Sequence, residues 1–188
     1  VPTLLLETGA TDRTASYVSG SGTSILTFRY VVQAGDTSSD LDAQSASALV
    51  LNAGTIKDAA GNDAGLAVPI TSASGSLAAS KAIVIDTTAP STPTALTVTP
   101  VGGTVVANTL LSASTNMTAT ASIVAGQATG GSAELLLGTI TIATDTTILS
   151  SDTSLSFNLN FTSSATLQAA IATGGQLTVR LIDAAGNI

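Results

Sequence analysis

The stretch "KAIVIDTTAPSTPTALTVTP", Lys81–Pro100, decides how the chain is read. An apolar, β-branched run, Lys81–Asp86, leads into "DTTAPSTP" and a second such run follows. Pro90 and Pro93 lack amide donors and fix their own φ, which suits a short, semi-rigid connection and not the interior of a sheet. A boundary near Pro90 divides the chain into segments 1–90 and 91–188.

The same β pattern recurs on both sides of this boundary. "PTLLLETG", "RTASYVSG", "SILTFRYVV" (Ser24–Val32) and "ALVLNAGTI" precede it. "TALTVTP", "TVVANTLLSAS" continuing into "TASIVA", "AELLLGTITIA", "SLSFNLNF" and "QLTVRLID" come after it. Turn residues punctuate them in "SGSGTS", "NAGT", "AGND", "VGGT", "GQATGGS" and "ATGGQ". Many short alternating runs between Gly-, Ser- and Asn-rich turns predict an all-β fold of antiparallel sheets, a sandwich or barrel. Only "SATLQAAIA" (Ser164–Ala172) has helical spacing, and a single turn between strands is expected there. Each segment has the size of an immunoglobulin-like sandwich, so the expected architecture is two tandem immunoglobulin-like antiparallel β-sandwiches.

Composition narrows the function classes. The hydrophobic fraction is 44%, enough for a core, while charged residues are only 9%, against roughly 25% in an average soluble domain. Ser, Thr, Ala and Gly fill the difference, as in exported, β-rich bacterial surface proteins. Five basic residues against twelve acidic ones give a net charge of −7. No basic patch can neutralise a run of phosphates, so nucleic acid is not an expected partner, nor is an anionic membrane surface. No run approaches the ~20 apolar residues of a membrane span, so membrane insertion is not expected. The N-terminal "VPTLLLETG" has no positive region of a signal peptide and reads as the inside of a larger polypeptide.

Both segments look incomplete as sandwiches, the first lacking opening strands and the second its closing strand. The expectation is a fragment of an array, or an assembly unit whose missing strands are supplied in trans. Neighbouring repeats or copies of the same protein are the expected partners, by strand insertion.

The combination "SGSGTSILTFRY", "GDTSSDLD" and "IDTTAP" resembles the bacterial immunoglobulin-like repeats of giant surface proteins. Among these are RTX-type adhesins, S-layer-like proteins and cyanobacterial surface proteins associated with swimming or gliding. The likeness covers Pro2–Pro90; Thr94–Ile188 resembles a second, more divergent type through "VRLIDAAGN". The resemblance implies a bacterial cell-surface or extracellular location, rods of tandem sandwiches, and calcium at domain junctions.

Geometry adds candidate ligands. In such a sandwich every second loop lies at the same end. The loop "AGDTSSDLDAQSAS" (Asp36, Asp40, Asp42) and the linker (Asp86) would meet the "DAAGN" corner of the second segment (Asp183, Asn187). The first copy of that pentapeptide, with Asp58 and Asn62, would face a preceding repeat. A cluster of oxygen ligands without His or Cys suits Ca²⁺ and not a softer metal. The bland alternatives are that Asp and Asn beside Gly are ordinary turn residues, and that "DTSSDLD" starts a helical turn with an N-cap Asp.

Catalysis is not expected. No His or Cys is present, neither lysine lies in an S-x-x-K pattern, and no phosphate-binding Gly-rich loop occurs. Trp is zero and aromatics are 3%, so the platforms on which sugars usually stack are missing. A ligand-binding adhesin module for a glycan or a surface protein is the second function class. Asn116 and Asn160 begin glycosylation triplets, a pattern common by chance.

Overall fold

The computed structural model describes residues 1–71, 73–101, 115–161 and 164–188. The expected strand "TVVANTLLSAS", the "VGGT" turn beyond Val101 and the end of the Asn160 triplet lie outside the described residues. The fold is all-β, sandwich-like, with several antiparallel sheets, and forms two compact units, Val1–Thr88 and Ala89–Ile188.

Unit 1 contains β1 (Thr3–Leu6), β2 (Arg13–Ser19), β3 (Thr27–Arg29), β4 (Thr37–Ser38), β5 (Leu49–Val50), the one-turn helix α1 (Leu77–Ser80) and β6 (Ile85–Asp86). Its main sheet has the order β3-β2-β1-β5, and β4 pairs with β6 separately. The β2–β3 turn requires glycine: Gly20 has φ +113, and a Cβ there would sit 1.9 Å from the Ile25 carbonyl oxygen. Beyond the turn, Tyr17 and Phe28 meet edge-on at 6.0 Å.

Several strands of unit 1 are shorter than the sequence pattern predicts. "SILTFRYVV" keeps only Thr27–Arg29 in the ladder, because Tyr30 leaves it to donate its hydroxyl to Asp36. "ALVLNAGTI" pairs only through Leu49–Val50, since Asn52 and Ala53 turn the chain at φ 50 and 63. "KAIVID" contributes only Ile85–Asp86. The core is correspondingly small: Leu6, Ala15, Leu41 and Ile85, with Leu4, Phe28, Tyr30, Leu77 and Ile83 packed against them.

Unit 2 contains β7 (Thr94–Val101), β8 (Asn116–Ser122), β9 (Ser132–Leu137), β10 (Ile140–Asp145), β11 (Ser154–Asn160), α2 (Ala165–Thr173) and β12 (Leu177–Ile182). Two sheets form, β11-β8-β7 and β10-β9-β12. Alternation sets their faces. In "SLSFNLN", Leu155, Phe157 and Leu159 are buried while Ser154, Ser156, Asn158 and Asn160 are exposed. Met117 and Ala119 of β8 join them, and Ala133, Leu135 and Leu181 of the other sheet complete one core. The opposite face of β11-β8-β7 is uncharged: Thr97 opposes Thr120, and Thr99 opposes Thr118, which donates to Asn158 at 2.8 Å.

The segment expected to be a single turn, Ser164–Ala172, is instead the nine-residue helix α2. Ser164 caps it by accepting the Leu167 N–H, and Gly174, at φ 75, ends it. Leu167 and Ala170 are buried, so packing adds to the good helix propensity of alanine and leucine.

Candidate functional site

The two "DAAGN" copies form the same hydrogen-bonded loop. In unit 1, Asp58 Oδ1 accepts the Ala60 and Asn62 amides, both at 2.9 Å, and Oδ2 accepts the Asn62 side-chain amide at 2.9 Å. In unit 2, Asp183 Oδ1 accepts the Ala185 and Asn187 amides at 2.9 Å, and Oδ2 accepts the Asn187 side chain at 2.8 Å. Main-chain bonds from Asp to Asn and from Gly to Asp close each loop, with Gly61 at φ 89 and Gly186 at φ 91. Asn62, first through its side chain, holds the Asp58 carboxyl below the usual carboxylate range. Burial pushes Asp183 up, but the Asn187 side chain and the loop amides outweigh it and the net shift is downward.

The "GDTSSDLD" segment, expected to be a ligand-bearing loop, is the spine of unit 1. Asp36 is only 1% exposed. Its Oδ1 accepts Arg13 Nε at 2.7 Å, and its Oδ2 accepts the Tyr30 hydroxyl at 2.5 Å and the Gln33 amide at 2.8 Å. Burial raises the Asp36 pKa, yet these donors, Tyr30 foremost, pull it below the ordinary value. Burial, then the bond to Asp36, pushes the Tyr30 hydroxyl up to about 12.

Asp42 is also buried. It accepts the Ala43 amide at 2.8 Å, the Thr71 amide at 2.8 Å and the Leu77 amide at 3.2 Å, so it pins the 71–77 segment to the spine. Asp40 accepts the Ile83 amide at 3.3 Å, and exposed Asp86 accepts the Thr88 amide at 2.9 Å. The main chain adds Thr37 N–H to the Thr8 carbonyl at 2.9 Å and Glu7 N–H to the Asp42 carbonyl at 3.0 Å.

These positions bear on the expected calcium cluster. A calcium ion takes six to eight oxygen ligands. Among the described residues, no three acidic side chains are placed to hold a metal ion. Asp36, Asp42, Asp58 and Asp183 each accept donors on both carboxylate oxygens. Within each unit, therefore, this donor set fits hydrogen-bond acceptance better than a calcium cage. In unit 1, Asp36, Asp40 and Asp42 each turn to separate partners.

Sequence reasoning did not single out Arg13 and Tyr30, which complete the Asp36 site. Their separation of 23 and 6 positions from Asp36 leaves no periodic signal. It also missed the cross-strand Glu134–Arg180 ion pair between β9 and β12, where Arg180 Nε donates to Glu134 at 2.9 Å. A cavity of about 460 Å³ in unit 1 is lined by Tyr17, Gly20, Thr23, Leu26, Thr55 and Lys57, among others. Lys57 is paired with Asp63 at 2.5 Å.

No family model, curated protein or solved structure matches the chain.

Proposed function

We propose that the chain is a non-enzymatic structural spacer or assembly subunit of an extracellular bacterial array, sheath or filament. The observation that carries this reading is the use made of its buried carboxylates. Asp36, Asp42 and Asp183 tie loops and strands together through backbone and side-chain donors, as a module held under tension requires. The uncharged Ser, Thr and Asn face of β11-β8-β7 supports it as well, since such a surface suits close packing in a dense layer. Calcium, which the family resemblance implies, belongs to this proposal only where oxygen ligands from outside a single unit complete its coordination.

Copies of the same protein are the proposed partners. Among the described residues, β3 and β12 are each paired on one side only, and Ile25, Val31 and Val32 around β3 are 71%, 57% and 50% exposed. An edge of that kind invites another strand. Immunogold labelling of intact source cells tests the reading. Label in an ordered layer or filament outside the cell is expected; label confined to the cytosol would sink it.

A second reading is an adhesin module for a glycan or surface protein. The 460 Å³ cavity beside Tyr17 favours it. Binding on a glycan array that Tyr17→Ala abolishes would select this reading over the first.

A further inference from the structure

Under the spacer reading, on which this inference rests, unit 1 is pulled at its two ends. Force enters through β1, which is paired on both sides, with β2 over four residues and with β5 over two. It leaves through Ile83–Thr87, whose ladder is shorter. β6 contributes only the pairs Thr37↔Asp86 and Ser38↔Ile85. Four hydrogen bonds between described residues add to this seam. Leu41 N–H reaches the Ile83 carbonyl at 2.8 Å, and Ile83 N–H reaches Asp40 at 3.3 Å. The Thr87 hydroxyl accepts the Gly35 amide and donates to the Asp36 carbonyl, both at 2.9 Å. Ile85 is the buried apolar anchor.

The spine on the other side of the seam is fixed more firmly. Asp36 binds Arg13, Tyr30 and Gln33, and Thr37 binds Thr8. Further back along the chain, Asp42 grips the Thr71 and Leu77 amides independently of the seam. Two attachments therefore lie in series between the leaving end and the main sheet.

We propose that unit 1 yields to tension in two stages: the seam between residues 35–41 and Ile83–Thr87 opens first, and the Asp42 clamp then arrests the chain at Leu77. The first stage frees residues 78–88, an extension of at most about 40 Å at the ~3.3–3.6 Å per residue of an extended chain. It gives a spacer a short, reversible elongation before any loss of its main sheet.

Constant-force optical trapping of the full chain between DNA handles tests this. The expected record shows a first step of at most about 40 Å, a pause, and a larger step that opens the rest of unit 1. Thr87→Val removes two seam bonds while keeping side-chain shape, and shortens the dwell before the first step roughly five- to tenfold. Asp42→Asn shortens the pause and leaves the first dwell unchanged. Lys57→Gln, which removes an exposed ion pair away from the seam, changes neither dwell. A single-step opening of unit 1, or Thr87→Val and Asp42→Asn shortening the same dwell, would overturn the proposal. Single-step opening with immunogold label in an external layer leaves the spacer reading standing. Two-step opening with label confined to the cytosol leaves the latch standing without the spacer.

Discussion

Unit 1 and unit 2 are both small β units, but different forces hold them. Unit 2 has strands of six to eight residues and a core drawn from two sheets, from Met117 and Phe157 to Leu135 and Leu181. Unit 1 has two-residue strands at β4, β5 and β6 and a core of Leu6, Ala15, Leu41 and Ile85. Where apolar burial is scarce, buried carboxylates supply order: Asp36 and Asp42 gather donors from β2, from the chain after β3 and from the approach to α1. Hydrophobic burial scales with the apolar area removed from water, whereas losing one acceptor of a hydrogen-bond hub leaves its donors unsatisfied. The difference predicts that the two units respond to different perturbations.

The largest effect is expected from emptying the core of unit 2. Leu135, fully buried, lies on the central strand β9, and Leu135→Ala should cost about 2–5 kcal/mol, read as a fall in the denaturation midpoint of unit 2 alone. Equal loss in both units would break the contrast. In unit 1 the matching substitution is polar. Asp42→Ala leaves the part-buried Ala43, Thr71 and Leu77 amides without this acceptor and should cost about 1–3 kcal/mol, seen as earlier melting of unit 1.

Acid and base should separate the units next. The Asp36 pKa is lowered in the folded state, so its stabilisation is full above the unfolded value near 3.8 and is lost as pH falls through the folded value. Tyr30 is raised from 10.0 to about 12, so its contribution is present below pH 10 and is lost as pH rises toward 12. Unit 1 should therefore lose structure at both extremes. Asp183 gives unit 2 an acid arm of the same sign, but its apolar core should keep it folded longer. Near-ultraviolet circular dichroism with Tyr30→Phe as control tracks this, and a pH response of unit 2 ahead of unit 1 would contradict it.

Smaller still is the contrast between the two pentapeptides. Asp183 is 7% exposed and Asp58 is on the surface, so Asp183→Ala should cost about 1–3 kcal/mol and Asp58→Ala distinctly less. The smallest effect is expected from calcium. Asp36, Asp42, Asp58 and Asp183 already carry donors on both oxygens, so exchanging calcium for a chelator should move melting by less than about 4 °C, the scale of 1 kcal/mol for a domain of this size. A larger rise in calcium would show that ligands from outside a single unit complete a site.

How much of this could be read from the residues depends on range. The alternation in "SLSFNLN" and "LTVRLI" specifies faces locally, so the strands of unit 2 and the all-β class were legible. The helix α2 was not, because its stop at Gly174 and the burial of Leu167 carried more weight than its short apolar spacing suggested. The acidic residues of "GDTSSDLD" read as candidate calcium ligands. Their spacing suggested ligands because a carboxylate looks the same whether it awaits a cation or an N–H. What decides is Arg13, Tyr30, Thr71 and Leu77, which only folding brings to them.

The two "DAAGN" loops share one further property. The five bonds that the loops have in common all begin and end within the pentapeptide. Such a corner is portable: the same five bonds form where the Asp is exposed, as at Asp58, and where it is buried, as at Asp183. Grafted onto the end of an unrelated strand, it should bring its own geometry with it.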